Sequence, residues 1–312
     1  MKPPPFTYYS PATVAETIGL LASLENAMLL AGGQSLMPML NMRYAQPDQV
    51  IDLNHVDGLN QISESGGWLE IGAMADVPGR TGLGSSGSFT VALLAALREH
   101  QRLPMPRQQL AEEAFHVETV RAGQPAGKHD HYLGAFGGLT CLEIDTAGDV
   151  TVSALDISLH TLDELRNSMV VFFTGMVRES FDILSQQEAD TAAGEPDVVD
   201  SLHQVKELGL QIRSALQEGN PDRFGELLHV HWEAKKRRST KVSNPKIDAY
   251  YETGRRQGAL GGKLLGAGGG GFLMFYCPAE FRGQLREAMT SEGLQEMSFQ
   301  FDTDGAKVLM NA

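Results

Sequence analysis

The chain has 312 residues, room for about two domains and a substantial core. Its formal net charge of −14 excludes broad nucleic-acid binding, because no basic surface dominates. Two cysteines, Cys141 and Cys277, fit buried thiols in a reducing compartment rather than a disulfide framework, and no signal peptide or long apolar run is visible, so a cytoplasmic protein without membrane or nucleic-acid partners is expected.

Ser10 and Pro11 supply an N-cap and a first-turn proline, and Val14, Ile18 and Leu21 then recur at i, i+4 and i+7, predicting a short helix packed on one face. Residues 27–31 read as a strand running into Gly32, Gly33, Gln34 and Ser35. A short helix with Leu36, Met39 and Leu40 follows, and 50–53 and 68–71 read as further short strands. This βα-rich unit stops near residue 75.

From Asp76 the pattern changes. A loop of small residues at 82–88 opens a helix through His100, with Phe89, Leu93, Ala96 and Leu97 on one face, and 108–121 reads as a second helix. A loop holding Gly127, Lys128, His129, Asp130 and His131 precedes strands at 139–144 and 150–155. A buried strand at 169–173 is followed by helices near 178–190, 197–218, 221–238 and 244–257. Strands at 259–265 and 272–276 flank a second glycine loop, and a helix at 279–291 and a strand at 297–301 close the chain. Strands alternating with paired helices predict an α+β fold with a helical layer on one side.

The loop Gly82, Leu83, Gly84, Ser85, Ser86, Gly87, Ser88 presents bare backbone N–H groups at a helix N-terminus, where the dipole favours anions. The second loop, Gly266, Ala267, Gly268, Gly269, Gly270 and Gly271, follows Lys263. Two phosphate-friendly loops point toward nucleotide chemistry. Gly82, Gly84 and Gly87 satisfy G-x-G-x-x-G, but residues 76–81 are too rich in Pro and Gly for the buried strand a dinucleotide fold requires, and no acidic strand end follows. No Lys-Ser or Lys-Thr pair closes the loop, which excludes a Walker A sequence.

Residues 76–312 resemble the GHMP kinases (galactokinase, homoserine, mevalonate and phosphomevalonate kinases), in particular the branch acting on heptose 7-phosphate. The resemblance lies in 82–88, in 127–132 with Phe136, Gly137 and Gly138, in 173–175, in 232–238 and in 261–272. Residues 1–74 instead resemble the start of the FAD-binding medium subunit of molybdenum hydroxylases, through Lys2–Phe6, Ala31–Leu36, Asn41–Arg43, Ile51–Asn54 and Ile71–Ala73. The implied fold is a small FAD-binding (PCMH-like) lobe at 1–75, a truncated GHMP kinase nucleotide lobe of ribosomal protein S5 domain 2-like type at 76–157, and a ferredoxin-like C-terminal domain with a helical layer at 158–312. The family's opening strands are missing, which implies an unpaired sheet edge and an incomplete adenine pocket. The chain reads as a fusion, natural or an assembly artefact.

The resemblance implies ATP and Mg²⁺ as cofactors and a sugar phosphate as the small-molecule partner. Gly82–Ser88 would hold the ATP phosphates, Ser86 and Glu118 the metal, and Asp130, beside Lys128, would serve the attacking hydroxyl as base or orienter. Lys263 and Gly266–Gly270 would close over substrate and phosphates. Gly32, Gly33, Gln34, Ser35 and Leu36 resemble the residues that receive the FAD pyrophosphate, although with half the cradle gone FAD is not expected to be retained. Each motif has a plain structural alternative: a helix cap at 85–88, a solvated face at Glu118, a capping Asp130, a strand connection at 266–271. The family more often sets glutamines where His129 and His131 stand. A His129–Asp130–His131 metal site is disfavoured because successive extended residues point apart. Arg178 and the Lys235–Arg238 run either grip a phosphate or, for the run, complement a helix C-terminus.

Overall fold

A computed structural model describes residues 3–30, 40, 46–56, 81–176 and 181–308, and the chain divides into two units, Met1–Pro78 and Gly79–Ala312. In the first unit β1 (Thr7–Tyr9), β2 (Ala27–Leu30) and β3 (Gln49–Asp52) form a parallel sheet in the order β1-β3-β2. Val50 and Ile51 at its centre are fully buried, with Leu40, Phe6 and Leu30 packed around Val50. Helix α1 (Val14–Ser23) crosses between β1 and β2, and Thr13 caps it by accepting from the Glu16 N–H. Its apolar residues Val14, Ile18 and Leu21 remain exposed, and Thr17 is its buried position. The predicted loop Gly32–Leu36 and strand 68–71 lie outside the described residues.

The second unit begins with a helical layer. Helix α2 (Ser85–His100) packs against α3 (Arg107–His116) and α4 (Lys128–Phe136), and α3 continues into a wider π-type turn at Val117–Arg121. Val91, Ala95, Leu110, Ala111, Ala114, Tyr132 and Ala135 form their common core, closed by Val150 from an antiparallel ribbon of β4 (Thr140–Ile144) and β5 (Val150–Ala154).

Helix α5 (Leu159–Ser168), capped by Ser158, leads into β6 (Met169–Phe173). Helices α6 (Phe181–Ala192), α7 (Pro196–Gln217), α8 (Pro221–Lys236) and α9 (Pro245–Arg256) follow. The last three open on proline at the first turn, and Asn220 and Asn244 cap α8 and α9. Strands β7 (Gly261–Leu264) and β8 (Phe272–Tyr276), helix α10 (Arg282–Ser291) and β9 (Gln295–Met297) complete an antiparallel sheet of order β7-β8-β6-β9. With α7–α9 standing as its first crossover, this is the β-α-β-β-α-β arrangement expected of a ferredoxin-like domain. Trp232, Tyr251, Phe172, Phe275, Leu264 and Leu273 fill the space between sheet and helices.

Three sequence expectations change. Residues 128–136 form a helix rather than a loop, so Asp130 lies in its first turn. The buried face of α2 is Gly87, Val91 and Ala95, while Phe89 is half exposed, because Gly87 approaches α4 too closely for any side chain between them. The closing strand forms at Gln295–Met297 rather than at 297–301, in register with Val171–Phe173 of β6. The chain end also returns to α4: the Gly138 N–H donates to the Asp302 carbonyl at 2.6 Å, and Arg107 donates to the carbonyls of Phe136 and Asp304. A Cβ on Gly137 would lie 2.2 Å from the Gly305 nitrogen, which gives that glycine pair a packing reason.

Candidate active site

Helix α2 starts at Gly84, whose φ of +68° is left-handed, and no side chain caps it. No acidic residue lies in its first turn, so the early N–H groups and the positive end of the dipole are left for an anion. Beside this terminus stands Asp130. A Cβ on Gly84 would lie 2.9 Å from Asp130 Oδ1, and one on Gly87 3.0 Å from Asp130 Cβ. The carboxylate therefore packs directly on the loop 82–88, with His129 Nε2 at 3.2 Å from Oδ1.

Glu118 reaches the same corner because the π-type turn rotates it inward. It is buried, and His131 Nε2 lies 2.7 Å from its Oε2. That hydrogen bond, helped by a second from Ser86 and opposed by burial, holds the Glu118 carboxyl below its ordinary range. Ser86 and Glu118, which lie on different helices, are thus in contact. Helical backbone separates the neighbours of Asp130 for a different reason than the extended chain anticipated: His131 is buried against Glu118 and Phe115, while His129 is exposed. Among the described residues no group of three or more His, Cys, Asp or Glu could hold a metal ion.

Lys128 turns elsewhere. Its ammonium donates to both oxygens of Glu112, at 2.8 and 3.0 Å, and to the Gly148 carbonyl at 2.7 Å. It braces α3, α4 and the β4–β5 turn, and its donors are committed there.

The second glycine loop packs against the first. A Cβ on Gly266 would lie 2.5 Å from the Gly82 Cα, and one on Gly82 2.6 Å from the Leu265 carbonyl oxygen. Gly269 N–H donates to the Val242 carbonyl, Gly271 N–H to that of Met176, and Thr174 returns a backbone and a side-chain hydrogen bond to Gly271 O. Lys235, buried on α8, donates to the carbonyls of Leu264 and Gly266. The loop joins β7 to β8 and at the same time seats the loop at 82–88.

Both glycine loops, Asp130, Ser86 and Glu118, all expected from the sequence to belong to one site, are brought to the same corner of the fold. Sequence reasoning missed the His131–Glu118 pair and the Thr174–Gly271 anchor, neither of which has a local signal across 13 and 97 residues.

Behind this loop lies a basic cluster. His231, Lys235 and Arg238 share one face of α8 and its end, and Lys263 faces them from β7. Burial, with Lys263, Lys235 and Arg238 nearby, pulls His231 down to about 3, against ~6.5 for an unfolded chain. Between those values the unfolded chain binds a proton that the folded protein does not, so this contribution to stability is present above about pH 6.5 and lost as pH falls toward 3. His231→Gln is expected to flatten that acid limb by roughly 2–3 kcal/mol near pH 4. Urea midpoints at neutral and acid pH check it, and parallel curves for the two proteins would refute it.

Residues 55–138 match the model of the GHMP kinases N terminal domain and residues 212–294 that of the GHMP kinases C terminal domain. Residues 4–78 match the FAD binding domain in molybdopterin dehydrogenase. The chain is 29% identical over 233 residues to D-glycero-alpha-D-manno-heptose 7-phosphate kinase of Campylobacter jejuni, covering 75% of this chain and 68% of that protein. A crystal structure of a D-glycero-D-manno-heptose 1-phosphate kinase from Bacteroides thetaiotaomicron superposes with a TM-score of 0.59 at 28% identity, covering 74% of this chain and 64% of that one. The opening segment is 48% identical over 75 residues to the carbon monoxide dehydrogenase medium chain of Hydrogenophaga pseudoflava, covering 24% of this chain and 26% of that protein. The chain therefore spans about two thirds of these heptose kinases and a quarter of that flavoprotein subunit. No helix among the described residues is long and apolar enough to cross a membrane.

Proposed function

The chain belongs to the GHMP kinase family, whose N- and C-terminal domains it carries, and from that premise we propose that it moves the γ-phosphate of ATP to a hydroxyl of a heptose-like sugar phosphate in the cytoplasm. The observation that carries this reading is the packing of the Asp130 carboxylate on the uncapped amides of 82–88. Those amides would cradle the triphosphate. Asp130 would orient the sugar hydroxyl and take its proton as the oxygen–phosphorus bond forms and ADP leaves.

Glu118 and Ser86 are hard oxygen donors already in contact and kept ready by His131, which suits them to hold Mg²⁺. Held there, Mg²⁺ would supply charge neutralisation for the phosphoryl oxygens. Lys263 and Gly266–Gly270 would complete the substrate side, while the donors of Lys128 are engaged by Glu112 and Gly148, which gives Lys128 a bracing role beside the site. The domain limits we propose are 1–75, 76–157 and 158–312.

The direct test is ADP release from ATP and Mg²⁺ with heptose 7-phosphate as acceptor. Release that needs the sugar is expected, and Glu118→Gln should raise the Mg²⁺ required for half-maximal rate by about tenfold. No sugar-dependent release from the intact protein would favour the alternative, a chimeric chain without catalysis. A flavin-binding electron-transfer subunit is a second reading, favoured by the match over 4–78. It predicts protein that purifies yellow, whereas the kinase reading predicts a colourless one.

A further inference from the structure

The protein carries 39 acidic residues against 25 basic ones, yet Lys263 and Arg238, two partly buried cations, pair with no carboxylate among the described residues. Lys263 on β7 makes no hydrogen bond or ion pair among the described residues, and the charge beside it is Arg238. Its ammonium is desolvated enough that burial, with Arg238 adding to it, brings it down to about 8. Arg238 is only half-buried and makes one side-chain hydrogen bond, from Nε to Ser201 Oγ at 3.3 Å. The His231 Nδ1 is buried without a partner. Lys235 is occupied by the carbonyls of Leu264 and Gly266, so within this cluster, among the described residues, Lys263 has no hydrogen-bond partner and Arg238 has Ser201.

Unpaired cations in such a place oppose folding. A protein with acids to spare keeps them where an anion arrives as ligand. Arg238 also lines a cavity of about 780 Å³ whose wall includes Gly127, the residue before α4, with Asp130 three residues further on. Gly266 stands between this cluster and the loop 82–88, touching Gly82 on one side and Lys235 on the other. The nucleotide phosphates belong to the loop side, so the cluster faces a different phosphate.

We propose that Lys263 and Arg238 form a binding site for a phosphate monoester, the non-reacting phosphate of the sugar substrate. The assignment rests on the kinase reading for the identity of the ligand, though not for the existence of an anion site. A guanidinium and an ammonium suit the dianion, the first by paired N–H donors and the second as a point charge.

Two measurements test it. With heptose 7-phosphate and ATP, Lys263→Gln and Arg238→Gln should each raise the sugar-phosphate KM by about tenfold or more while the ATP KM stays within about twofold. An ATP KM that rises instead would overturn the assignment by moving the cluster to the nucleotide. Independently of turnover, inorganic phosphate should raise the thermal midpoint of the intact protein, and that increment should be lost in both variants. Lys263→Gln should also melt higher than the parent in phosphate-free buffer, since an unpaired cation is gone. An undiminished phosphate increment in both variants would refute the site, even for a protein found to be inactive as a kinase. Should Lys263→Gln not fold, Arg238→Lys, expected to keep part of the increment, decides the same question.

Discussion

Asp130→Asn is expected to lower kcat by about 10³-fold while the KM for ATP and the thermal midpoint change little. The side chain keeps its shape, so its packing against Gly84 and Gly87 survives. What is lost is the negative charge that orients the acceptor hydroxyl and takes its proton. The third position of α4 also fixes the carboxylate in the first turn of that helix, beside the loop 82–88. His129, at 3.2 Å, is exposed and is the nearer of the two flanking histidines to that charge. His129→Gln should therefore cost far less than Asp130→Asn in the same ADP-release assay. A variant at Asp130 that keeps more than about a tenth of the parent rate would remove this residue from the chemistry.

Much of this site could be read from the sequence because its chemistry sits in short, local signals. Glycine and serine before an apolar-periodic run announce an uncapped helix start, and α2 indeed runs from Ser85 to His100. The apolar run 272–276 marks β8 to the residue. Features without a local signal are not legible in the sequence. A period of 3.6 cannot register one wider turn, so 108–121 read as an ordinary helix and the inward rotation of Glu118 stayed hidden. Gly127 and the polar run after it look like loop chemistry. The helix there is stabilised by tertiary partners: Lys128 on Glu112, His131 on Glu118, Tyr132 buried in the core.

Periodicity also marks an apolar face without saying what covers it. Val14, Ile18 and Leu21 align as predicted on α1 and remain exposed. On α2 the apolar residues Phe89 and Leu93 lost the interior to Gly87, Val91 and Ala95, because a backbone-to-backbone approach at Gly87 set the orientation of the helix. The interlock of the two glycine loops is the most consequential feature of the site. It joins residues about 180 apart in sequence and has no local signature at all.

That interlock predicts two glycine substitutions with different consequences. Gly271 has a φ of +98°, and a Cβ there would lie 2.1 Å from the Thr81 carbonyl oxygen, a backbone atom. Its own N–H and carbonyl are tied to Met176 and Thr174, so it cannot swing away. Gly271→Ala should therefore lose roughly 3 kcal/mol or more of stability, seen as a large drop in the urea midpoint, and activity should vanish with the fold. Gly84 has a φ of +68°, and the first atom its Cβ would meet is the Asp130 carboxylate oxygen at 2.9 Å, the end of a side chain that can rotate. Gly84→Ala should cost only about 1–2 kcal/mol, the ordinary penalty for a left-handed alanine, but it would push the carboxylate off the phosphate loop and reduce kcat by about 10²-fold. Equal stability losses in the two variants would mean that the loops are not clamped together at Gly271. A fully active Gly84→Ala would mean that Asp130 has no need of its contact with the loop.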